Sequence, residues 1–274
     1  MRVMVWADIE GVAGITSWEH TGGGTPLYEE GRRLYTEEIN AIVRACRRAK
    51  ADDVIVVDGH GGGYKGARGF MSLIPDRLER SARYVLGHAW ARYVEPLTQG
   101  CDAVLFVGAH AKAGTPDGVL SHTVSSESWY LATINGAPVG ESGIVAAIAG
   151  CWNVPAVFVA GDEATCKEVQ ELVGATVVTA PVKKGLGRFS AVHLAPADAC
   201  TLIETRAGEA LVNRARWPKP LTFAAPVTFQ VELATPDRLA PFEGRTGVET
   251  VGPRTVRATG KNFWEAWDAL WYRY

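Results

Sequence analysis

Arg2-Val3-Met4-Val5-Trp6-Ala7-Asp8-Ile9-Glu10 is the stretch on which the fold turns. Val3 to Ala7 form an unbroken apolar run, which suits a strand covered on both faces, as in a parallel sheet. Two carboxylates then follow, and Gly11 closes the run. Side chains two apart on a strand share a face. A strand that persists through Glu10 therefore points Asp8 and Glu10 the same way at its C-terminal end. Ligands of open α/β sheets bind at that end. Neighbouring carboxylates repel unless a shared proton or a cation compensates; a divalent metal is the expected cation.

Outward from this strand, strand and helix patterns alternate. A Gly-rich loop (Gly11, Gly14, Gly22, Gly23, Gly24) contains no Gly-Lys-Ser/Thr and reads as a mobile active-site loop rather than a phosphate cradle. Thr25-Pro26 opens a long helix, with Thr as N-cap, Pro at the first helical position and acidic residues in the first turn. Residues 53–58 form the next strand, followed by Gly59-His60-Gly61-Gly62-Gly63, and this completes a βαβ unit. A short strand near 84–86 and a buried strand over 102–110, ending at His110, come next. Residues 129–139 read as a hairpin around the turn Asn135-Gly136. An apolar helix starts near Gly140-Glu141, a strand over 155–160 ends in Gly161-Asp162, and a helix (163–173) and a strand (175–182) follow.

Beyond about residue 190 the pattern changes. A helix over 196–215 leads through Pro218 and Pro220 to strands at 227–233 and 254–258 and a Trp-rich terminal helix. The expected fold is α/β: a doubly wound, mostly parallel sheet in residues 1–216, with a smaller C-terminal α/β subdomain in 217–274 suited to oligomer contacts. The terminal aromatics are expected in core or subunit interface rather than in a ligand stack.

With 274 residues and a formal net charge of -2, the chain has ordinary globular composition. That balance favours neither nucleic acid nor an anionic membrane as partner. Five scattered cysteines form no Cys-x-x-Cys pair, which argues against a disulfide framework and a thiolate zinc site. No apolar stretch approaches the roughly 18 residues that would span a bilayer, and no secretory apolar region precedes the first strand. A reduced, cytoplasmic enzyme is expected.

Chemistry gathers at the strand ends: Asp8 and Glu10, Asp58 and His60, His110, and Asp162. A parallel sheet brings such ends to one edge, and carboxylate with imidazole suits zinc or manganese in a hydrolase. Asp8 is placed to bridge two ions roughly 3.5–4 Å apart. Glu141, just inside a helix start, is either a ligand or a first-turn charge favoured by the helix dipole. His122, a short loop beyond His110, is either structural or a group near the metals that moves protons or contacts the transition state. His20, His88 and His193 lack a comparable setting and read as structural or surface residues.

Asp8-Ile9-Glu10-Gly11, Asp58-Gly59-His60, Gly108-Ala109-His110, Ser121-His122, Asn135-Gly136, Val139-Gly140-Glu141, Gly161-Asp162, Pro181-Val182-Lys183 and Arg188 follow one another in the order seen in the zinc D-aminopeptidase family, which the chain resembles over nearly its whole length. The resemblance implies two zinc ions held by Asp8, Glu10, His60, His110 and Glu141, with Asp8 bridging and His122 as the catalytic histidine that is not a ligand. It also implies a homodecamer of two stacked pentamers, and short peptides with an N-terminal D-residue, such as D-Ala-D-Ala, as substrates. Asp117 appears as an extra residue in the Thr115–Gly118 loop, a departure that bears on substrate preference and leaves every expected ligand intact. Two other readings of the strand-end cluster stand beside this one: a dimetal hydrolase of a cyclic amide or phosphoester, and a non-catalytic metal- or peptide-binding protein.

Overall fold

The computed structural model describes residues 1–62, 69–87 and 94–271; Gly63 and His88, both considered above, lie outside these. The elements run β1 (Arg2–Ala7), α1 (Pro26–Arg48), β2 (Asp53–Asp58), β3 (Arg83–Val85), the one-turn α2 (Glu95–Thr98), β4 (Ala103–Ala109), β5 (Trp129–Ile134) and β6 (Ala137–Pro138). They continue as α3 (Glu141–Gly150), β7 (Ala156–Asp162), α4 (Glu163–Val173), β8 (Val178–Gly187), β9 (Ser190–His193), α5 (Pro196–Val212), β10 (Val227–Leu233), β11 (Val248–Gly252), β12 (Thr255–Gly260) and α6 (Phe263–Leu270).

The main sheet has the order β3-β2-β1-β4-β7-β8-β9. All of its pairings are parallel except β8 with β9. Its apolar strands are covered on both sides, as the run from Val3 to Ala7 requires. Val3, Val5 and Ala7 face α1 and α5 through Ile39, Ile42, Ile203 and Ala207. Met4 and Trp6 face the opposite layer, where α3 and α4 pack beside a second sheet. This is the doubly wound arrangement expected from the sequence.

The second sheet is antiparallel, in the order β11-β12-β10-β5-β6. The β5–β6 hairpin turns at Asn135 and Gly136, both at positive φ (48° and 82°), the geometry that suits Asn-Gly in a two-residue turn. Residues 217–274 contribute β10, β11, β12 and α6 to this layer, and the hairpin from the middle of the chain completes its sheet. The terminal aromatics are core here: Phe263 and Trp267 pack with Phe229, and Trp267 lies flat on Trp271 at 4.8 Å. Among the described residues no helix is long and apolar enough to cross a membrane.

Strand order fixes where a site can form. From β1 the chain crosses to β2 and β3 on one side and then returns to β4 on the other. The crevice above the C-terminal ends of β1 and β4 is therefore the topological switch point, where neighbouring connections diverge and leave room for a ligand.

One difference from expectation matters there. β1 ends at Ala7, so Asp8 and Glu10 sit on a turn rather than on the strand. The Asp8 N–H still donates to the Val107 carbonyl at 2.9 Å, and the Gly11 N–H donates to the Gly108 carbonyl at 2.7 Å. The chain bends between these two anchors and packs on the end of β4 so closely that a Cβ on Gly11 would lie 1.9 Å from the Ala109 carbonyl oxygen. The two carboxylates reach one site through the bend, not through strand alternation.

Trp267 is wholly buried. Replacing it with Ala should cost about 3–5 kcal/mol, the range for deleting a large core aromatic. A urea unfolding curve checks this, and an unchanged midpoint would remove Trp267 from the core that joins the two layers.

Candidate metal centre

Six side chains converge at the switch point. Asp8 and Glu10 come from the turn after β1, His60 from just beyond β2, and His110 from the residue after β4. His122 lies in the loop that follows, and Glu141 is the first residue of α3. All six are buried. His60 reaches the site because Gly62 lets the chain fold back over it: a Cβ on Gly62 would stand 2.2 Å from His60 Nε2 and 2.6 Å from the Thr21 carbonyl oxygen.

Each imidazole is held by a backbone carbonyl on one side and offers its other nitrogen to the site. His60 Nε2 is 2.8 Å from the Thr21 carbonyl oxygen, His110 Nδ1 is 3.0 Å from that of Ala111, and His122 Nδ1 is 2.9 Å from that of Leu120. A carbonyl only accepts, so these nitrogens carry protons, and the opposite nitrogen of each ring is the one open to a second proton or to a metal ion. The open nitrogens point at carboxylates. His60 Nδ1 lies 3.3 Å from Asp8 Oδ1 and 3.2 Å from Glu10 Oε2. His110 Nε2 lies 3.3 Å from Asp8 Oδ2 and 3.2 Å from Glu141 Oε1.

Asp8 thus stands between two histidines, one at each oxygen. A lone pair facing an anion is repulsive unless a proton or a metal ion lies between them. Glu10 Oε2 and His110 Nε2 are buried with no hydrogen-bond partner among the described residues, as donor atoms awaiting a cation would be. Ligand atoms of Asp8, Glu10 and His110 lie within 4.8 Å of one another, and so do those of His110, His122 and Glu141. The donor set of carboxylate oxygen and imidazole nitrogen fits zinc or manganese.

The electrostatics follow from this crowding. Burial alone would raise the Asp8 carboxyl, but the close approach of His110 and His60 outweighs it and holds Asp8 well below the usual carboxylate range. Burial disfavours charge on His60 and His110, yet Glu10 and Asp8 around the first, and Glu141 and Asp8 around the second, push both well above the ordinary imidazole value. His122 moves the other way, lowered by burial and by the neighbouring charge of His110. Its ring lies flat on that of His110 at 4.1 Å, its Nε2 is 3.6 Å from Glu141 Oε1, and Trp18 meets it edge-on at 5.5 Å. Of the three rings, His122 is thus the one least disposed to take up a second proton, and its Nε2 is turned toward Glu141.

A profile of the M55 peptidase family, described as D-aminopeptidase, matches residues 1–272. The chain belongs to the M55 family of D-aminopeptidases. This M55 chain is an enzyme, a peptidase, and it is 32% identical over 274 residues to the D-aminopeptidase of Bacillus subtilis (strain 168), an alignment that covers 98% of this chain and 95% of that one. The fold matches the solved structure of the Zn-dependent D-aminopeptidase DppA from Bacillus subtilis, described as a self-compartmentalizing protease, with a TM-score of 0.86 and 29% identity over 98% of this chain and 95% of that chain.

Two of the strand-end carboxylates do not face the M55 site. The Asp58 carboxylate accepts from the Tyr35 hydroxyl and the Ser72 N–H, at 2.9 and 2.7 Å, and ties α1 and the segment beyond β2 to that strand. Asp162 is the N-cap of α4 and accepts from the Thr165 and Val119 N–H groups, both at 2.7 Å. Trp18, Glu38 and Lys183 support the site through contacts made across the fold, which no local pattern reveals; Lys183 stood in the sequence only as part of the family resemblance, with no role attached. Of the histidines read as structural, His20 shares a hydrogen bond with Ser17 and His193 accepts one from the Gly14 N–H.

The raised histidines make a titration prediction. In the metal-free chain His60 and His110 hold protons up to their elevated values, and a bound divalent ion must displace them. Binding at pH 7 should release about two protons, and affinity should climb as pH rises. Calorimetric enthalpies in buffers of different ionisation heat measure the number released; a buffer-independent enthalpy would contradict the protonated pairs.

Proposed function

We propose that this chain is a zinc-dependent aminopeptidase that hydrolyses short peptides beginning with a D-residue, of the D-Ala-D-Ala type. In this reading two zinc ions, or another divalent metal such as manganese, are held by Asp8, Glu10, His60, His110 and Glu141. The observation that carries it is the placement of Asp8, whose two carboxylate oxygens face different histidines at 3.3 Å each. A carboxylate so shared would suit a pair of ions, with Glu10, His60, His110 and Glu141 as the remaining donors. The family membership and the zinc dependence of the structural relative support the same metal.

Bound there, the ions would supply Lewis acidity to the scissile carbonyl and bring the pKa of a water toward about 7. The chain's own residues do the rest. Asp8, Glu10 and Glu141 hold negative charge at fixed positions, which sets the donor geometry before substrate arrives. His122 Nε2 takes a proton from the attacking water and returns it to the leaving amine, a role its lowered proton affinity and its carbonyl-fixed tautomer favour. Glu141 Oε1 also accepts from the Val124 N–H at 2.7 Å, which fixes the carboxylate beside the His122 ring. Trp18 packs edge-on against that ring and limits the water around it.

We place the enzyme in the cytoplasm, in keeping with five free cysteines. We also assign it a homodecameric state of two stacked pentamers, in keeping with the self-compartmentalizing description of its structural relative.

Three measurements test the proposal. Asp8→Ala should abolish metal binding, whereas His122→Ala should retain the metal and lower kcat by about 10²–10⁴-fold. Near-native turnover in the His122 variant would remove it from the chemistry. Matched D- and L-aminoacyl dipeptides, run beside a cyclic-amide and phosphodiester panel, should show hydrolysis of the D-peptides alone. Turnover of the panel would favour another bond, and zinc binding without any turnover would favour a binding protein.

A further inference from the structure

The turn that carries Glu10 is held in place by side chains from three distant elements. Lys183, on β8, is buried and spends all three ammonium protons on one segment: Nζ donates to the carbonyls of Glu10 at 2.5 Å, Val12 at 2.9 Å and Ile15 at 2.8 Å. An ammonium has three protons and no acceptor, so its hydrogen-bonding capacity is saturated. From α1, the buried Glu38 accepts from the Ala13 N–H through Oε1 at 2.9 Å. From β9, His193, which pairs with Lys183 across the strands, accepts from the Gly14 N–H through Nδ1 at 3.0 Å.

Burying a lysine is costly, and an apolar residue at this position of β8 would avoid that cost. What Lys183 supplies in exchange is convergence. Three carbonyls spread over residues 10–15 are drawn to one point, which a hydrocarbon side chain cannot do. The first of them belongs to Glu10 itself, whose carboxylate lies 3.2 Å from His60 Nδ1. No lysine or arginine is paired with Glu141 among the described residues; that side chain is placed by the start of α3, by the Val124 N–H and by His110.

We infer that Lys183 is a positioning residue for one half of the metal centre: by gathering the carbonyls of Glu10, Val12 and Ile15 it aims the Glu10 carboxylate into the group it forms with Asp8 and His110. It touches neither substrate nor metal and acts through Glu10. The consequence is asymmetric. Losing Lys183 weakens binding of the ion that Glu10 would hold, in the group Glu10 forms with Asp8 and His110, and spares the ion that Glu10 does not reach. This inference rests on the two-metal reading above.

The test is calorimetric titration of zinc into the metal-free full-length protein. Wild type should take up two equivalents. Lys183→Met should keep one at close to wild-type affinity and bind the other at least tenfold more weakly. Lys183→Gln, whose amide can still serve two of the carbonyls, should weaken the same equivalent by less; it carries the test if Lys183→Met fails to fold. A double-mutant cycle separates positioning from general stability. Because Lys183 acts through Glu10, the variant lacking both Lys183 and the Glu10 carboxylate (K183M with E10A) should bind zinc no more weakly than E10A alone. Loss of thermal stability with both equivalents bound at wild-type affinity would overturn the inference, as would additive effects in the cycle. Uptake of one equivalent by wild type would instead overturn the two-metal reading, so the two failures are distinguishable.

Discussion

Three carboxylates and three imidazoles buried together are an electrostatic problem that the rest of this structure answers. Asp8 is its centre, with an imidazole nitrogen 3.3 Å from each oxygen. In a medium of low polarity such charges cannot be left to water, and pairing must be local and complete. Protons on His60 and His110 would serve in the metal-free chain; divalent ions serve better, because one ion meets several carboxylates at once. Each backbone carbonyl behind a histidine matters for this reason. It fixes which nitrogen is protonated, and so which one is free to face the anions.

The fold prepares this convergence before any side chain is considered. Parallel strands that end together at a switch point bring residues 8, 60 and 110 to one crevice although they lie about fifty positions apart in sequence. The remaining freedom is removed by backbone clamps: the bend after β1 is anchored to β4 by N–H groups on either side of it, and the segment beyond it is held by Lys183, Glu38 and His193. Burial pushes Glu38 up to about 7 and Lys183 down to about 8, the opposite directions expected of an acid and a base removed from solvent. Rigid placement of donors in this way lets a catalytic site work without reorganising for each turnover.

The parallel sheet, the helix behind Thr25-Pro26 and the Asn135-Gly136 hairpin were legible in the sequence because each is written in local chemistry: a run of apolar residues, an N-cap, a pair of positive-φ residues. Thr25 does cap α1, accepting from the Tyr28 N–H at 3.1 Å. The gathering of Asp8, Glu10, His60 and His110 was legible too, since strand ends in such a sheet share an edge; Glu141, on a helix start, and His122, in a loop, were left open by their own surroundings and entered through the family resemblance. Less legible was anything decided by a partner far away. Alternation alone predicts that β1 runs through Glu10; the close packing of Gly11 on β4 ends it at Ala7. Asp58 and Asp162 carry the same strand-end signature as the site residues, and only their backbone and hydroxyl partners reveal that they brace the scaffold instead. β9 and β11 are short, half-exposed edge strands whose pairing partners define them more than their own residues do.

Gly61 and Gly62 look interchangeable in the sequence, yet the structure sets them apart. A methyl group on Gly61 would come no nearer than 3.7 Å to Phe70, an ordinary contact, whereas on Gly62 it would collide with the imidazole and carbonyl that meet there. Divergence among descendants of this chain is therefore free to erode one glycine and bound to preserve the other. Residue conservation at this spot would record steric exclusion around a histidine, not a taste for pliancy in the loop.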